Sequence, residues 1–230
     1  MTYVIGVDAG TTALKAGVFG PDGSTLAVAG EGYQLATPAP DRAELDPERF
    51  WRALVNACRH ALDDAGVPRS EVDAIAVSSQ GETVTPVDAD GQPIGPSVIW
   101  LDNRARAEAR ELAARFDAAT VYATTGVPDV NPTWTASKIL WWRRHEPELF
   151  ARAAKFLLVE DLLLHRLTGR FVTEGGIQCT TLLYDIRAHT WWQPMLDALE
   201  IDAGRLGEIA APGAVVGTLR AEAAEALDLP

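Results

Sequence analysis

Asp8, Gly10, Thr11 and Thr12 sit in a short polar turn between two β-forming runs, residues 4–7 and 13–19, and their types suit the binding of an anion. Gly10 admits backbone angles closed to other residues and lets a ligand reach the main chain, while two threonine hydroxyls stand beside exposed amides. Such a concavity fits a phosphate group. A buried carboxylate at Asp8, placed where phosphate would bring like charge, makes sense when Mg2+ lies between them, directly or through water. A plain strand connection also favours Asp, Gly and Thr, so the stretch alone leaves both readings open.

Several elements must position this turn. Gly20-Pro21-Asp22-Gly23 punctuates a second turn into a third strand at residues 24–29. Asp46 as N-cap and Pro47 at the first helical position open a helix carrying Phe50, Leu54, Cys58, Ala61 and Leu62 at helical spacing, ended by Gly66. "VDAIAVSSQ" predicts a buried strand, "ETVTPVDADGQPI" a hairpin with Asp90-Gly91 at its tip, and "SVIWLDN" a further strand. Helices are expected at residues 103–116 and 135–144, then a "KFLLVE" strand and a "DLLLHRLTG" helix capped by Asp161 and closed by Gly169. A looser Gly-rich stretch from Thr173 precedes a last strand, "AVVGTL", and a last helix, "RAEAAEALDLP". Three strands followed by mixed strand and helix place the chain in the α/β class without regular βαβ alternation.

With 230 residues, 47% of them hydrophobic and 23% charged, the chain is long enough to bury a sizeable core. Its 20 Lys and Arg against 32 Asp and Glu give a formal charge of −12, and no basic run is dense enough to follow a nucleic-acid backbone. Nucleic acid and anionic membrane surfaces are therefore not expected partners. No basic and apolar leader opens the sequence and no apolar run approaches the ~20 residues that span a bilayer, so a cytoplasmic protein is expected. Cys58 and Cys179 lie far apart and read as packing thiols in a reducing compartment. His60, His145, His165 and His189 share no ligand spacing, and no transition-metal site is expected.

Neither a P-loop nor the three spaced glycines of a dinucleotide fingerprint is present. The polar turn instead lies between antiparallel strands, and four stretches in order carry a specific likeness: "VDAGTTALKAGVF", "SSQGETVTPVDADGQPIGPSVIWLDNRA", "ASKILWWRRHEPELF" and "KFLLVEDLLLHRLTGRFVTE". Over essentially all of its length the chain resembles the N-terminal half of an FGGY-family carbohydrate kinase, most like the xylulokinase branch. The resemblance implies a ribonuclease-H-like (actin-like ATPase) fold, a mixed sheet flanked by helices, in each of two domains, with ATP and sugar meeting between them. Residues 1–230 would be the sugar-binding domain. The nucleotide-binding domain and the family's general base, an Asp in a GxxD stretch, would follow Pro230, so the isolated chain is expected to hold no catalytic residue and to bind rather than turn over.

Carried over by position, the resemblance makes Asp8 the anchor of hydrated Mg2+ and sets Gly10, Thr11 and Thr12 against the terminal phosphates of ATP. Lys15 matches a frequent basic position near the phosphates and reads equally well as a solvated strand lysine. Gln80-Gly81-Glu82-Thr83 stands where glycerol kinases of the family read Gln-Arg-Glu-Thr and xylulokinases Gln-Met-His-Gly. Gly81 is expected to leave open the space of the missing arginine, with Gln80 and Glu82 at the sugar and Glu82 accepting hydrogen bonds from paired hydroxyls. Trp100, Asp102 and Arg104 follow the Trp-x-Asp-x-Arg form of xylulokinase-like members. Trp100 is either a wall for a sugar's carbon face or core, while Asp102 reads hydroxyls or orients Arg104. Trp134 falls near an aromatic lid position, with Thr133 where glycerol kinases carry Tyr. Trp141, Trp142, Trp191 and Trp192 are assigned to packing. The expected substrate is a pentulose such as xylulose; a glycerol kinase-like polyol kinase and a non-catalytic actin-like sugar- or nucleotide-binding module are the alternatives. The expected partners are the C-terminal domain and, as an oligomer, a homodimer.

Overall fold

The computed structural model of the protein describes residues 2–230. Strands β1 (Tyr3–Ala9), β2 (Ala13–Phe19) and β3 (Thr25–Gly32) form an antiparallel meander. After the short β4 (Glu44–Leu45) and helix α1 (Glu48–Ala65), strand β5 (Val72–Ser79) returns parallel to β1 and completes a sheet of order β3-β2-β1-β5. Mixed pairing follows from the long helical crossover, because a parallel neighbour cannot be reached by a hairpin.

Alternation decides which face of this sheet is covered. Ile5, Val7, Ala9, Leu14, Ala16 and Val18 point to one side and pack with Phe50, Leu54, Cys58, Ala61 and Leu62 of α1 in a common core. Truncating Leu54, which is fully buried, to Ala would cost about 2–5 kcal/mol. Pro47, not Asp46 as expected, is the N-cap, because α1 starts at Glu48, whose amide donates to the Asp46 carboxylate; Gly66 ends the helix in the left-handed region (φ 65°), where its amide reaches the carbonyls of Leu62 and Asp63.

Strands β6 (Val84–Val87), β7 (Ser97–Val98) and β8 (Lys155–Leu158) join β4 in a second, antiparallel sheet of order β4-β7-β6-β8. Helices α2 (Arg106–Arg115), α3 (Ala118–Thr125), α4 (Thr135–His145) and α5 (Pro147–Arg152) lie between β7 and β8 in sequence. Helix α6 (Val159–Thr168) leads to β9 (Val172–Glu174) and the single turn α7 (Gly175–Gln178). The short pair β10 (Tyr184–Asp185) and β11 (Thr190–Trp191), helix α8 (Gln193–Leu199), β12 (Glu208–Ala210), which pairs with β9, and α9 (Ala221–Leu227) complete the chain. A second core joins Val84, Val98, Leu140, Trp142, Phe156 and Met195.

Three further sequence expectations fail here. The strand at "SVIWLDN" stops at Val98, because the Asp102 amide turns back onto the Ile99 carbonyl at 2.9 Å. Asp161 is the third residue of α6, and its carboxylate accepts from the Leu158 amide at 3.0 Å, the reciprocal half of a capping box. "AVVGTL" has no strand partner. It runs beside a groove of about 560 Å³ lined by the edge strand β5, Glu160 and Leu164 of α6 and residues 213–219. No helix of the described residues is long and apolar enough to cross a membrane.

Candidate functional site

The alternation that buries Val7 and Ala9 turns Asp8 to the uncovered face of the sheet, so its carboxylate is exposed, not buried as the sequence suggested. Lys15 lies directly across from it on β2, also exposed. The turn itself is tight: the Gly10 amide donates to the Ala13 carbonyl at 3.0 Å, and a side chain on Gly10 would meet that oxygen at 3.1 Å. Thr11 is half-buried and Thr12 exposed.

A ring of hydrogen bonds ties this turn to the end of β5 and the segment after β7. Gln80 Nε2 donates to the Gly10 carbonyl at 3.0 Å, and Gln80 Oε1 accepts from the hydroxyls of Thr83 at 3.0 Å and Thr11 at 3.4 Å. Thr83 Oγ1 in turn accepts from the Trp100 amide at 3.2 Å, and Trp100 Nε1 donates to Thr11 Oγ1 at 2.9 Å. The Gln80 side-chain amide thus joins the turn to the end of β5, with its oxygen accepting from two hydroxyls and one of its two N–H donors given to Gly10. Trp100 is 36% exposed, so it is not part of the core. Tyr33, which the sequence reading passed over, donates its hydroxyl to the Gly10 carbonyl from β3's end.

Asp102 is only 1% exposed and spends its carboxylate on the protein. Oδ1 accepts from the Arg104 amide at 3.0 Å and Nε at 2.9 Å; Oδ2 accepts from Arg104 Nη2 at 2.8 Å and the Ala43 amide at 2.8 Å. Arg104 also reaches Glu44 at 2.5 Å, and its guanidinium lies 5.0 Å from the centre of the Trp141 ring. Of the two roles open to Asp102, orienting Arg104 is the one this geometry uses. Both residues are framework beneath the site.

Glu82 stands above that framework with a positive φ of 56°, unusual for a residue with a side chain. Its carbonyl accepts from Thr135 Oγ1 at 3.1 Å and Lys138 Nζ at 3.1 Å. Burial raises the Glu82 carboxyl above its ordinary range, against the opposing pull of Lys138 and a hydrogen bond with Thr180. The space expected beside Gly81 is not open: a Cβ there would lie 2.7 Å from Thr180 Oγ1. Thr180, just after α7, therefore takes the place the sequence reading left vacant. Trp134 caps the start of α4, half-buried, with its indole donating to the Asp129 carbonyl at 2.8 Å.

Lys138 is the largest omission. It lies in "ASKILWW", on a stretch of α4 in which every residue from Thr135 to Trp142 is buried. The residue is 1% exposed, and burial pushes its ammonium down to about 7, with Asp102 and Glu82 opposing that shift. Tyr33 and Thr180 gave no comparable signal, since single hydroxyl residues in turns are common.

One hard-oxygen carboxylate, a glycine and two threonines suit Mg2+ that keeps most of its water and takes its remaining ligands from a polyphosphate. Among the described residues, no group of three or more His, Cys, Asp or Glu is placed to hold a metal ion.

Comparison with known proteins follows this geometry. The xylulose kinase of Escherichia coli (strain K12) is 30% identical over 222 residues, covering 96% of this chain and 45% of that protein. The glycerol kinase of Rhodospirillum rubrum is 34% identical over 216 residues, covering 91% and 43%. The ligand-bound xylulose kinase from Lactobacillus acidophilus superposes with a TM-score of 0.92 at 28% identity, covering all of this chain and 46% of that one. The chain spans less than half the length of these relatives, and the fold it shares is the ribonuclease-H-like, actin-like ATPase fold. A model of the N-terminal domain of these enzymes matches residues 3–230, and the chain belongs to the FGGY family of carbohydrate kinases.

Proposed function

We propose that the protein carrying this chain transfers a phosphoryl group from ATP to a hydroxyl of a sugar or polyol, with residues 1–230 supplying the sugar pocket and the first phosphate turn. The observation that carries this reading is the ring through Gly10, Thr11, Gln80, Thr83 and Trp100, which sets an anion-binding turn beside a half-buried carboxylate and an exposed indole. Phosphoryl transfer asks mainly for positioning and charge stabilisation. Thr12 and the backbone at Gly10 face the phosphates, and Asp8 holds the hydration shell of Mg2+, which when bound neutralises phosphoryl charge. Glu82 accepts from sugar hydroxyls, Trp100 and Trp134 offer apolar faces to the carbon chain, and Asp102 and Arg104 hold that wall in place. The attacking hydroxyl is deprotonated by a residue of a second domain following this one, so the isolated chain binds without turnover.

A pentulose such as xylulose is the preferred substrate. An exposed Trp100 and a half-buried Trp134 favour a longer carbon chain than glycerol offers, and the likeness to a xylulose kinase structure at TM-score 0.92 supports the same reading. Glycerol is the second reading, favoured by Gln80, Glu82 and Thr83 and by the 34% identity to a glycerol kinase. The test is a coupled ADP-release assay of the complete protein with ATP and Mg2+ against xylulose, ribulose, erythritol and glycerol. The highest kcat/KM is expected for a ketopentose; glycerol as best substrate selects the second reading, and sugar or nucleotide binding without turnover selects a non-catalytic module.

A further inference from the structure

Lys138 is the one buried lysine of this site that no step above employs. Its Nζ donates to the Thr133 carbonyl at 2.6 Å and the Glu82 carbonyl at 3.1 Å, so a single ammonium holds two chain segments that are 51 residues apart. One segment carries Glu82, at a positive φ; the other carries Trp134. Neighbours on the same helical turn reinforce both holds: Thr135 Oγ1 donates to the Glu82 carbonyl at 3.1 Å, and Ser137 Oγ to the Asn131 carbonyl at 3.0 Å. Burial disfavours the ammonium most; Asp102 and Glu82 attract it without offsetting that cost, and Arg104 repels it.

A cation in the first turn of a helix opposes the helix dipole, and a buried one loses its hydration. An apolar side chain would fill the same volume without either penalty. What the ammonium adds is two charge-assisted hydrogen bonds to main-chain oxygens, which fix backbone and not merely side chains. We infer that Lys138 is a positioning residue for the substrate pocket, clamping the backbone of Glu82 to the loop that bears Trp134 so that carboxylate and indole keep their separation when a sugar enters. The inference rests on the pocket reading given above.

In the complete protein, Lys138→Met keeps the length of the side chain and removes the donors. KM for the sugar is expected to rise about tenfold or more, with kcat and KM for ATP changing less than about threefold, as befits lost ground-state positioning. In Lys138→Ala, n-propylammonium replaces the deleted amine and is expected to recover at least about a third of the lost sugar affinity, while 1-propanol recovers none. Leu140→Ala, a core truncation on the same helix, lowers Tm without moving the sugar KM. Amide hydrogen exchange should quicken in residues 81–83 and 131–134 of Lys138→Met, with α1 unchanged. An unchanged exchange pattern overturns the inference, as does a loss of kcat with the sugar KM intact, or equal rescue by propanol. Failure of the wild-type protein to phosphorylate any sugar would sink the functional reading instead, and the exchange pattern would still decide what Lys138 holds.

Discussion

At one end of the candidate site, Asp102, Arg104 and Lys138 are buried, Glu44 half-buried, and all four are bonded to one another or to main-chain atoms; at the other end, Asp8, Thr12 and Lys15 stand in solvent. One wall is finished within this chain. The other exposes a carboxylate, a hydroxyl and an ammonium to solvent. The difference separates two kinds of residue that sequence motifs lump together: those that build the cavity and those that touch what fills it.

Substitution should pull these two kinds apart. The largest effect on the fold is expected for Asp102→Ala, which strands Arg104 in the interior; a stability loss of about 3–5 kcal/mol should appear in urea denaturation of the chain. Asp8→Ala is the converse. Its Tm should stay within about 2 °C of wild type, as for most exposed positions, while phosphoryl transfer by the complete protein falls at least about 100-fold. Equal loss of stability in both variants would erase the contrast.

Gly81→Arg tests the boundary between the two regions. The new side chain must displace Thr180, whose hydroxyl also serves Glu82, so stability should drop by about 1–3 kcal/mol and sugar affinity should fall with it. Thr180→Ala in the same protein should return part of both, and a shift toward glycerol in that double variant would show that volume at this spot selects the substrate.

The pH dependence of stability sharpens the view of the scaffold under the turn. Glu160, whose amide donates to Ser79 Oγ at the end of β5, is pushed up to about 7 by burial first and by Asp161 and Glu174 second. The folded state therefore keeps a proton that the unfolded chain releases near its ordinary value, and stability contributed by this group is present at low pH and lost as pH rises through about 7. Glu160→Gln should flatten that decline: its Tm should exceed wild type at pH 8 and match it at pH 5. Smallest of all, Lys15→Ala should change stability by less than about 0.5 kcal/mol, and KM for ATP by less than about threefold.

Most of the framework was legible because the hydrophobic pattern is local. The meander of β1 to β3, α1 and the Asp90-Gly91 hairpin all follow from spacing and turn residues. Spacing failed at the local turn from Ile99 to Asp102 that ends β7, and where a distant residue decides the outcome, as Thr180 does over Gly81 from a segment about a hundred residues away. Asp8 was misjudged as buried although the alternation of Val7 and Ala9 contained the answer. In the site, motif position named Asp102 and Arg104 correctly as a pair but could not tell that four hydrogen-bond acceptances already exhaust the carboxylate. Lys138 was visible in principle, as a charge set next to the apolar run Ile139–Trp142.

Under the proposed function, the closed ring of hydrogen bonds that runs through Thr11 and Trp100 would couple two binding equilibria. A sugar that seats against the indole fixes the donor to Thr11, and a nucleotide that engages Thr11 acts on the same donor from the other side. Thermodynamic linkage then requires that each ligand change the other's affinity by an identical factor, whichever binds first. Trp100→Phe retains the ring face and deletes the N–H, so it should bring that factor toward one while each ligand still binds alone, a result that calorimetric titration of each ligand with and without the other would read directly.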